Sequence, residues 1–383
     1  MIRQAFHLLV LMLAHISADL LGGLLGAILP ALCAHFSLSL SAGLALITLM
    51  SMSANIFQVV AGHFNATTRH PWGISLGLAG ACLIPVIGLV PPSFPFAGLA
   101  CILVAGGAGV AWVHPNGLRG VHHLHLIPSS VSTALFLVGG FAGFSSGAWI
   151  SGAIVESTGL HGLAWLIPLG LATALIVPLS GVRLSVDDSP TPPPEGKSHS
   201  VPAILFSHLL IMGVLIALAV IILTSLLPTY LYEKGFPLNI GGRTVFLFGL
   251  GGAFGSLFWG TVAHRRNFGL AFRGSLGVGI PLLLLYLFLA SRAWAFWLLL
   301  PASFFLYAAF PLIVTLARHS ISAMTLGKRL GLIVGGSWGI AALILMGLGP
   351  LGERIGILPI LFISALCYLT TFIYSLFTLS GKR

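Results

Sequence analysis

The sequence predicts an all-α membrane protein: twelve transmembrane helices in two pseudo-symmetric six-helix bundles. Three observations predict it. Of 383 residues, 57% are hydrophobic and 6% charged, with mean hydropathy +1.08, whereas a soluble domain carries roughly a quarter charged residues. Apolar runs of about twenty residues recur along the whole length, each long enough to cross a bilayer core roughly 30 Å thick. Finally, several landmarks occur twice. Leu29-Pro30 returns as Leu227-Pro228 and Gly62 as Gly260, both 198 residues later. Pro115 returns as Pro311, and Val138-Gly139-Gly140-x-x-Gly143 as Val334-Gly335-Gly336-x-x-Gly339, both 196 later. A repeat of that length in an apolar chain points to a duplicated bundle.

The spans are expected at 5–32, 38–62, 72–91, 95–113, 129–154, 163–182, 203–232, 241–263, 271–290, 294–317, 330–350 and 356–379. They must be helices, because the bilayer offers no water to the backbone and no strand-like alternation is present to build a barrel. The first run, Ala5 to Leu32, is too long for a signal-peptide core and is read as the first transmembrane helix. It holds His15, Asp19 and the first Leu-Pro landmark. The second carries Asn55 and Gln58, the fourth leads into His114-Pro115, and the fifth carries the glycine motif. The polar, proline-rich stretch Val186 to Lys197 separates spans six and seven. The expected organisation is an N-terminal bundle at 1–182, a cytoplasmic linker at 183–200 and a C-terminal bundle at 201–383. The seventh and tenth spans repeat the proline landmarks, the eighth repeats the glycine, and the eleventh repeats the glycine motif.

With both termini in the cytoplasm, thirteen Lys and Arg residues fall on the inner side and four (Lys234, Arg243, Arg292, Arg354) on the outer. That satisfies the positive-inside rule. The net charge of +10 is therefore topological and carries no argument for nucleic acid. Cys33, Cys82, Cys101 and Cys367 show no CxxC spacing and are read as small buried hydrophobes.

Two bundles of six joined by a polar linker resemble the major facilitator superfamily. Its loop signature after the second helix, roughly G-x-L-A-D-R-x-G-R, is approached by Gly260-Thr261-Val262-Ala263-His264-Arg265-Arg266, with Arg273 beyond, and by Gly62-His63-Phe64-Asn65 with Arg69. His264 stands where the signature has its aspartate, and Asn65 and Ala66 occupy that region in the first half. The resemblance implies an inner-gate loop at Gly62, Arg69, Gly260, His264, Arg265 and Arg266. Narrower segments are similar to the fosmidomycin-resistance family of bacterial exporters. These are His15-Ile16-Ser17-Ala18-Asp19, then His114-Pro115 (with Asn116 in place of an acid), and the fifth-helix run from Phe136 to Gly147. Leu137, Phe141 and Ala148 replace polar residues and a proline of that pattern.

Asp19 is the only carboxylate well inside an apolar span; Glu156, Asp187, Asp188, Glu195, Glu233 and Glu353 fall in loops or at helix ends. A charge at mid-bilayer costs on the order of 3 kcal/mol, so such residues usually face a cavity and act there. His15, one helical turn earlier, shares its face. Asp19 and His15 are the expected proton-coupling pair. The repeat places Gly213 and Ala217 at their counterparts, which favours a specialised role over an architectural one. His114, Arg119, Gln58 and Asn55 are substrate-cavity candidates; the alternatives are a positive-inside charge for Arg119 and helix-to-helix hydrogen bonding for Gln58 and Asn55. His122, His123 and His125 are read as a solvated inner loop. Gly139, Gly140, Gly143 and Gly147, with Gly335, Gly336 and Gly339, are expected to pack or gate helices, the fifth against a helix of the opposite half. A single embedded carboxylate argues against a carrier of multivalent cations, and no metal ligands are expected. His15-x-x-x-Asp19 also matches a two-letter acyltransferase pattern, but its apolar helical setting argues against an enzyme. No Walker-type phosphate loop is present and no cofactor is expected.

The resemblance implies a monomeric secondary transporter of the bacterial inner membrane, working by alternating access about a cavity between the halves. It would exchange protons for a small amphipathic or anionic substrate in efflux. Its partners would be the lipid bilayer, substrate and protons, without nucleic acid. Uptake by symport or uniport, or a transport-inactive scaffold or sensor, are the alternatives.

Overall fold

The computed structural model describes residues 1–64, 68–185, 204–265, 268–318, 320–324 and 326–379. Among these, twelve helices are long and apolar enough to cross a membrane. They are α1 (Ile2–His35), α2 (Leu40–Gln58), α3 (Trp72–Leu89), α4 (Phe96–His122), α5 (Val131–Thr158), α6 (Leu160–Leu179), α7 (Phe206–Glu233), α8 (Leu238–Ala263), α9 (Phe268–Leu289), α10 (Ala295–Ala317), α11 (Lys328–Ile355) and α12 (Ile357–Thr378). The described residues form no sheet; an isolated bridge joins Leu205 and Ile321. The four cysteines are free.

The chain divides into two compact units, Met1–Thr191 with Pro237–Gly242, and Pro192–Phe236 with Arg243–Arg383. In the first, α1 packs on α5, α4 and α6, while α4 also carries α2 and α3. Leu8, Leu11, Ala14, Ala18, Ile74, Val113, Phe136 and Val177 belong to its core. In the second, α7 is the central helix, buried on all sides from Ile216 to Leu231 and packed by α10, α11 and α12. A helix apolar all round its circumference is suited to that interior position.

Several helices depart from regularity where the sequence allows it. The first span is not one rod: it ends as Ile2–Gly22, turns at Gly23, and resumes as Leu24–His35. The Gly23 N–H donates to Asp19 O (2.8 Å) and Leu20 O (3.3 Å). A Cβ at Gly23 would lie 3.0 Å from Phe144 Cα, with the Phe144 carbonyl closer still, so glycine permits the backbone of α5 to press into the break. In α11 the segment Leu332–Gly336 winds as a π-turn, at the repeated glycine motif.

The fourth span also differs from expectation. It was expected to end at 113, but the helix runs on to His122 with Pro115 inside it. Proline removes one helical N–H without ending the helix where packing holds both sides. Here Gly117 faces the Phe136 ring and Gly120 faces Leu11 and Leu184. His114 and Arg119 are therefore helical residues, while His123 and His125 lie beyond the helix and are exposed. Partial loss of hydration and the neighbouring His125 and Arg69 hold the His123 imidazole below its ordinary range.

Of the linker expected at 183–200, the described residues 183–185 are tied to the first unit. The Leu184 N–H donates to Arg69 O (3.0 Å) and the Ser185 N–H to Arg119 O (3.1 Å). Residues 186–200 lie outside the described residues.

Candidate functional site

The last turns of the Ile2–Gly22 segment of α1 fix the site. His15 and Asp19 project from one helix face, with the small buried Ala14 and Ala18 beside them. His15 Nε2 lies 3.2 Å from Asp19 Oδ2. His114, on α4, supplies a second imidazole, with its Nε2 3.1 Å from Asp19 Oδ1. The carboxylate is thus held between two histidines. The two imidazoles meet edge to face at 4.9 Å, and His15 stacks on Phe136 at 4.1 Å.

Opposite this cluster stands Gly140 of α5. A Cβ there would lie 2.6 Å from both Asp19 Oδ2 and His15 Nε2. Those are movable side-chain ends, so Gly140→Ala is expected to leave the helices in place and displace the cluster. Misplacing reacting groups by about an ångström costs on the order of 100-fold. Substrate-triggered proton movement should fall by about 10- to 100-fold while the thermal unfolding midpoint changes little.

Hydrogen-bond directions constrain what occupies the cluster. The partner of His15 Nδ1 is the Phe136 carbonyl (2.7 Å), and that of His114 Nδ1 is the Val110 carbonyl (2.9 Å). Carbonyls only accept, so both Nδ1 atoms carry the hydrogen and donate it. In a neutral imidazole this leaves Nε2 as a lone pair. Each Nε2 faces a carboxylate oxygen, which is also an acceptor when ionised. Two acceptors at such distances attract only with a positive centre between them, either a proton or a metal ion. His15 is 3% exposed, whereas the side chains of Asp19 and His114 keep 18% and 23% of their area open. The cluster is sealed on the His15 side and open on the other. The ligand-capable atoms of the three residues all lie within 4.8 Å of one another. No metal ligand set was expected from the sequence, so this convergence is a finding of the structure.

The remaining candidates make these contacts. Arg119 donates from Nε and an Nη to Ser185 O (2.9 and 2.7 Å) and from an Nη to Thr68 O (2.7 Å). It staples chain segments at one end of the unit. Asn55 donates to Ser51 O in its own helix (2.8 Å), and Gln58 is half-buried. Neither is brought to Asp19 by a described contact. Asn116 is buried, donates to Trp112 O (2.7 Å) and leaves its Oδ1 without a partner among the described residues.

The glycines correct an expectation. Gly139, Gly140, Gly143 and Gly147 face α1 of their own half: Gly139 and Gly143 face Ile16, and Gly147 faces Leu20. At Gly143 and Gly147 the facing atoms are backbone and too near to admit a Cβ, whereas at Gly139 the spacing is ordinary van der Waals contact. Among the described residues, an added Cβ at Gly336 meets only Leu332 of its own helix, and nothing lies within 4 Å of one at Gly339 or Gly260. Gly335 sits inside the π-turn. Close helix approach is thus a property of the first motif and not of its repeat. In the loop regions resembling an inner gate, Gly62 and His264 fall near helix ends, Arg69 and Arg265 are exposed, and Arg266 lies outside the described residues. Sequence reading also missed polar ties within the unit. Ser17 Oγ meets Thr173 Oγ1 (3.1 Å), and Ser151 donates to Leu24 O (3.0 Å). Isolated serines in apolar spans give no signal of their partners.

Twelve apolar helices among the described residues, a sequence duplicated across them and a carboxylate held between histidines of two spans define a multi-pass membrane protein of the transporter class. The sequence model of the Major Facilitator Superfamily matches residues 11–344. The chain belongs to that superfamily, whose members move small molecules across membranes. It is 26% identical over 373 residues to the fosmidomycin resistance protein of Escherichia coli (strain K12), covering 92% of this chain and 86% of the relative. It is 24% identical over 364 residues to an uncharacterised MFS-type transporter, YfnC, of Bacillus subtilis (strain 168), covering 92% and 88%. Its fold is similar to that of a bacterial homologue of the human lysosomal transporter Spinster, solved in an inward-facing and unoccupied conformation. The TM-score is 0.75 at 15% identity, covering 100% of this chain and 98% of that one.

Proposed function

We propose that the protein is a proton-coupled exporter of the bacterial inner membrane, related to the fosmidomycin-resistance exporters. It exchanges protons for a small amphipathic or anionic compound by alternating access. Asp19 is the coupling carboxylate, and His15 and His114 are its proton-sharing partners. The observation that carries this reading is a carboxylate set between two Nε2 atoms in an apolar span, where each contact needs a positive centre and the open side admits water. Likeness to a resistance protein over most of the chain supports export, and the Lys and Arg asymmetry supports cytoplasmic termini. The coupling cluster is complete within one chain, and the proposed working unit is the monomer.

Everted membrane vesicles with an acidic lumen test the proposal. Phosphonates, organic anions and amphipathic drugs are added in turn while the gradient is recorded. Collapse triggered by one class, absent from vesicles lacking the protein, is expected. Isotope flux of a transported compound that is indifferent to the gradient would instead establish uniport and overturn proton coupling.

A further inference from the structure

We propose that His15, Asp19 and His114 also form a binding site for a first-row divalent transition-metal ion, best fitted by Zn²⁺. The inference rests on the proposed function in one respect: the cluster must meet water during the transport cycle. The donor chemistry is two imidazole nitrogens and one carboxylate. This set suits zinc, cobalt or nickel, while magnesium and calcium prefer oxygen cages. Tetrahedral bonds of about 2.0–2.1 Å place neighbouring ligand atoms roughly 3.3 Å apart. The observed separations, 3.2 Å from His15 Nε2 to Asp19 Oδ2 and 3.1 Å from His114 Nε2 to Asp19 Oδ1, run to the two oxygens of one carboxylate, and a ligand atom from each of the three residues lies within 4.8 Å of the others, so an ion between the imidazoles meets the carboxylate edge.

Outer contacts match the same use. Metal-bound histidines characteristically donate the other ring N–H to a carbonyl or carboxylate, which fixes the tautomer and aims the lone pair. Both histidines here do so, through Phe136 O and Val110 O. Those two carbonyls belong to different helices, so α1, α4 and α5 together aim the lone pairs at the carboxylate. Gly140 leaves no side chain to intrude. The open faces of Asp19 and His114 leave room for entry and for a water as fourth ligand. A dication at this point supplies the positive centre that both acceptor contacts require. Metal and protons therefore compete for one place, and a bound metal holds the coupling carboxylate occupied.

The test is calorimetric titration of Zn²⁺ into the purified full-length protein in detergent. One saturable site per chain is expected. His114→Gln and His15→Gln should each weaken it by at least about 100-fold, since even the loss of an outer-shell partner costs 10- to 100-fold. A variant with His122, His123 and His125 all changed to Gln should retain it. His15→Gln also removes the contact with Phe136, so unaltered protein loaded with Co²⁺ gives a second reading. A ligand-field spectrum of four-coordinate, nitrogen-bound cobalt is expected. No saturable Zn²⁺ binding, binding unchanged in both single variants, binding lost in the loop variant, or a six-coordinate aquo spectrum would each overturn the inference. Normal proton-coupled flux in a protein that binds no Zn²⁺ removes the metal site and leaves the transport reading standing. Zn²⁺ binding with proton-indifferent flux does the reverse.

Discussion

Asp19→Asn is expected to fold, reach the membrane and lose substrate-driven proton movement by about 100-fold or more, the scale of removing a positioned acid–base group. The fold should survive because an amide fits the same place. Its N–H₂ can donate to one Nε2, while its oxygen accepts from the other imidazole when that ring is protonated. The present contacts of the carboxylate are 3.2 Å to His15 and 3.1 Å to His114, so little rearrangement is needed. What the amide cannot do is bind and release a proton, and the charge that makes the site respond to a gradient is gone. In everted vesicles the mutant should show no substrate-triggered collapse, while its melting temperature in detergent stays near that of wild type. Undiminished collapse with Asn at this position would take Asp19 out of the mechanism.

Gly143→Ala and Gly147→Ala should damage the molecule in a different way. A Cβ at Gly143 would sit 2.8 Å from Ile16 Cα, and one at Gly147 would sit 3.0 Å from Leu20 Cα, with the carbonyl oxygens closer still. Both obstacles are backbone, so α5 must move away from α1 and the packing along the helix pair loosens. Overpacking of this kind costs about 1–3 kcal/mol per site. Gly339→Ala is the matched control, since nothing lies within 4 Å of its added methyl. Replacing glycine inside a helix gains up to about 1 kcal/mol. Melting of the three purified variants should therefore show the first two lowered and the third unchanged or raised. Equal melting of all three would mean that α1 and α5 are not held as closely as described.

The spans were legible because bilayer crossing needs length and apolarity, which composition displays directly. Asp19 was legible for the converse reason, a charge where charges are costly. Its pairing with His15 followed from helical periodicity alone. The role of His114 against Asp19 was not legible, because that contact joins two helices and no local pattern encodes it. The break at Gly23 was hidden for a related reason: glycine is common in such helices, and only the pressing Phe144 backbone distinguishes this one. Arg119 read as a cavity residue from its charge, yet backbone carbonyls take up its guanidinium. The fifth-helix glycines announced close contact but not with whom. Small residues specify distance, and the identity of the neighbour is a matter of topology.

The π-turn of α11 bears on how the two halves can be compared at all. Within it the Ser337 N–H bonds to Leu332 O, five residues back. One residue beyond the usual turn rotates all that follows by about 100°. The numbering shows the slip. Gly140 faces His15 in the first half; in the second, the counterpart of His15 is Gly213, whose nearest neighbour on α11 is Ser337, 2.7 Å from the added Cβ at its Oγ. By spelling, Ser337 corresponds to Phe141, and the true counterpart of Gly140, Gly336, lies one place earlier. The duplicated copies have diverged in phase while their letters still align. Within α11, the turn marks where the phase changes. Past it, the alignment that matches the glycines pairs side chains that look in different directions.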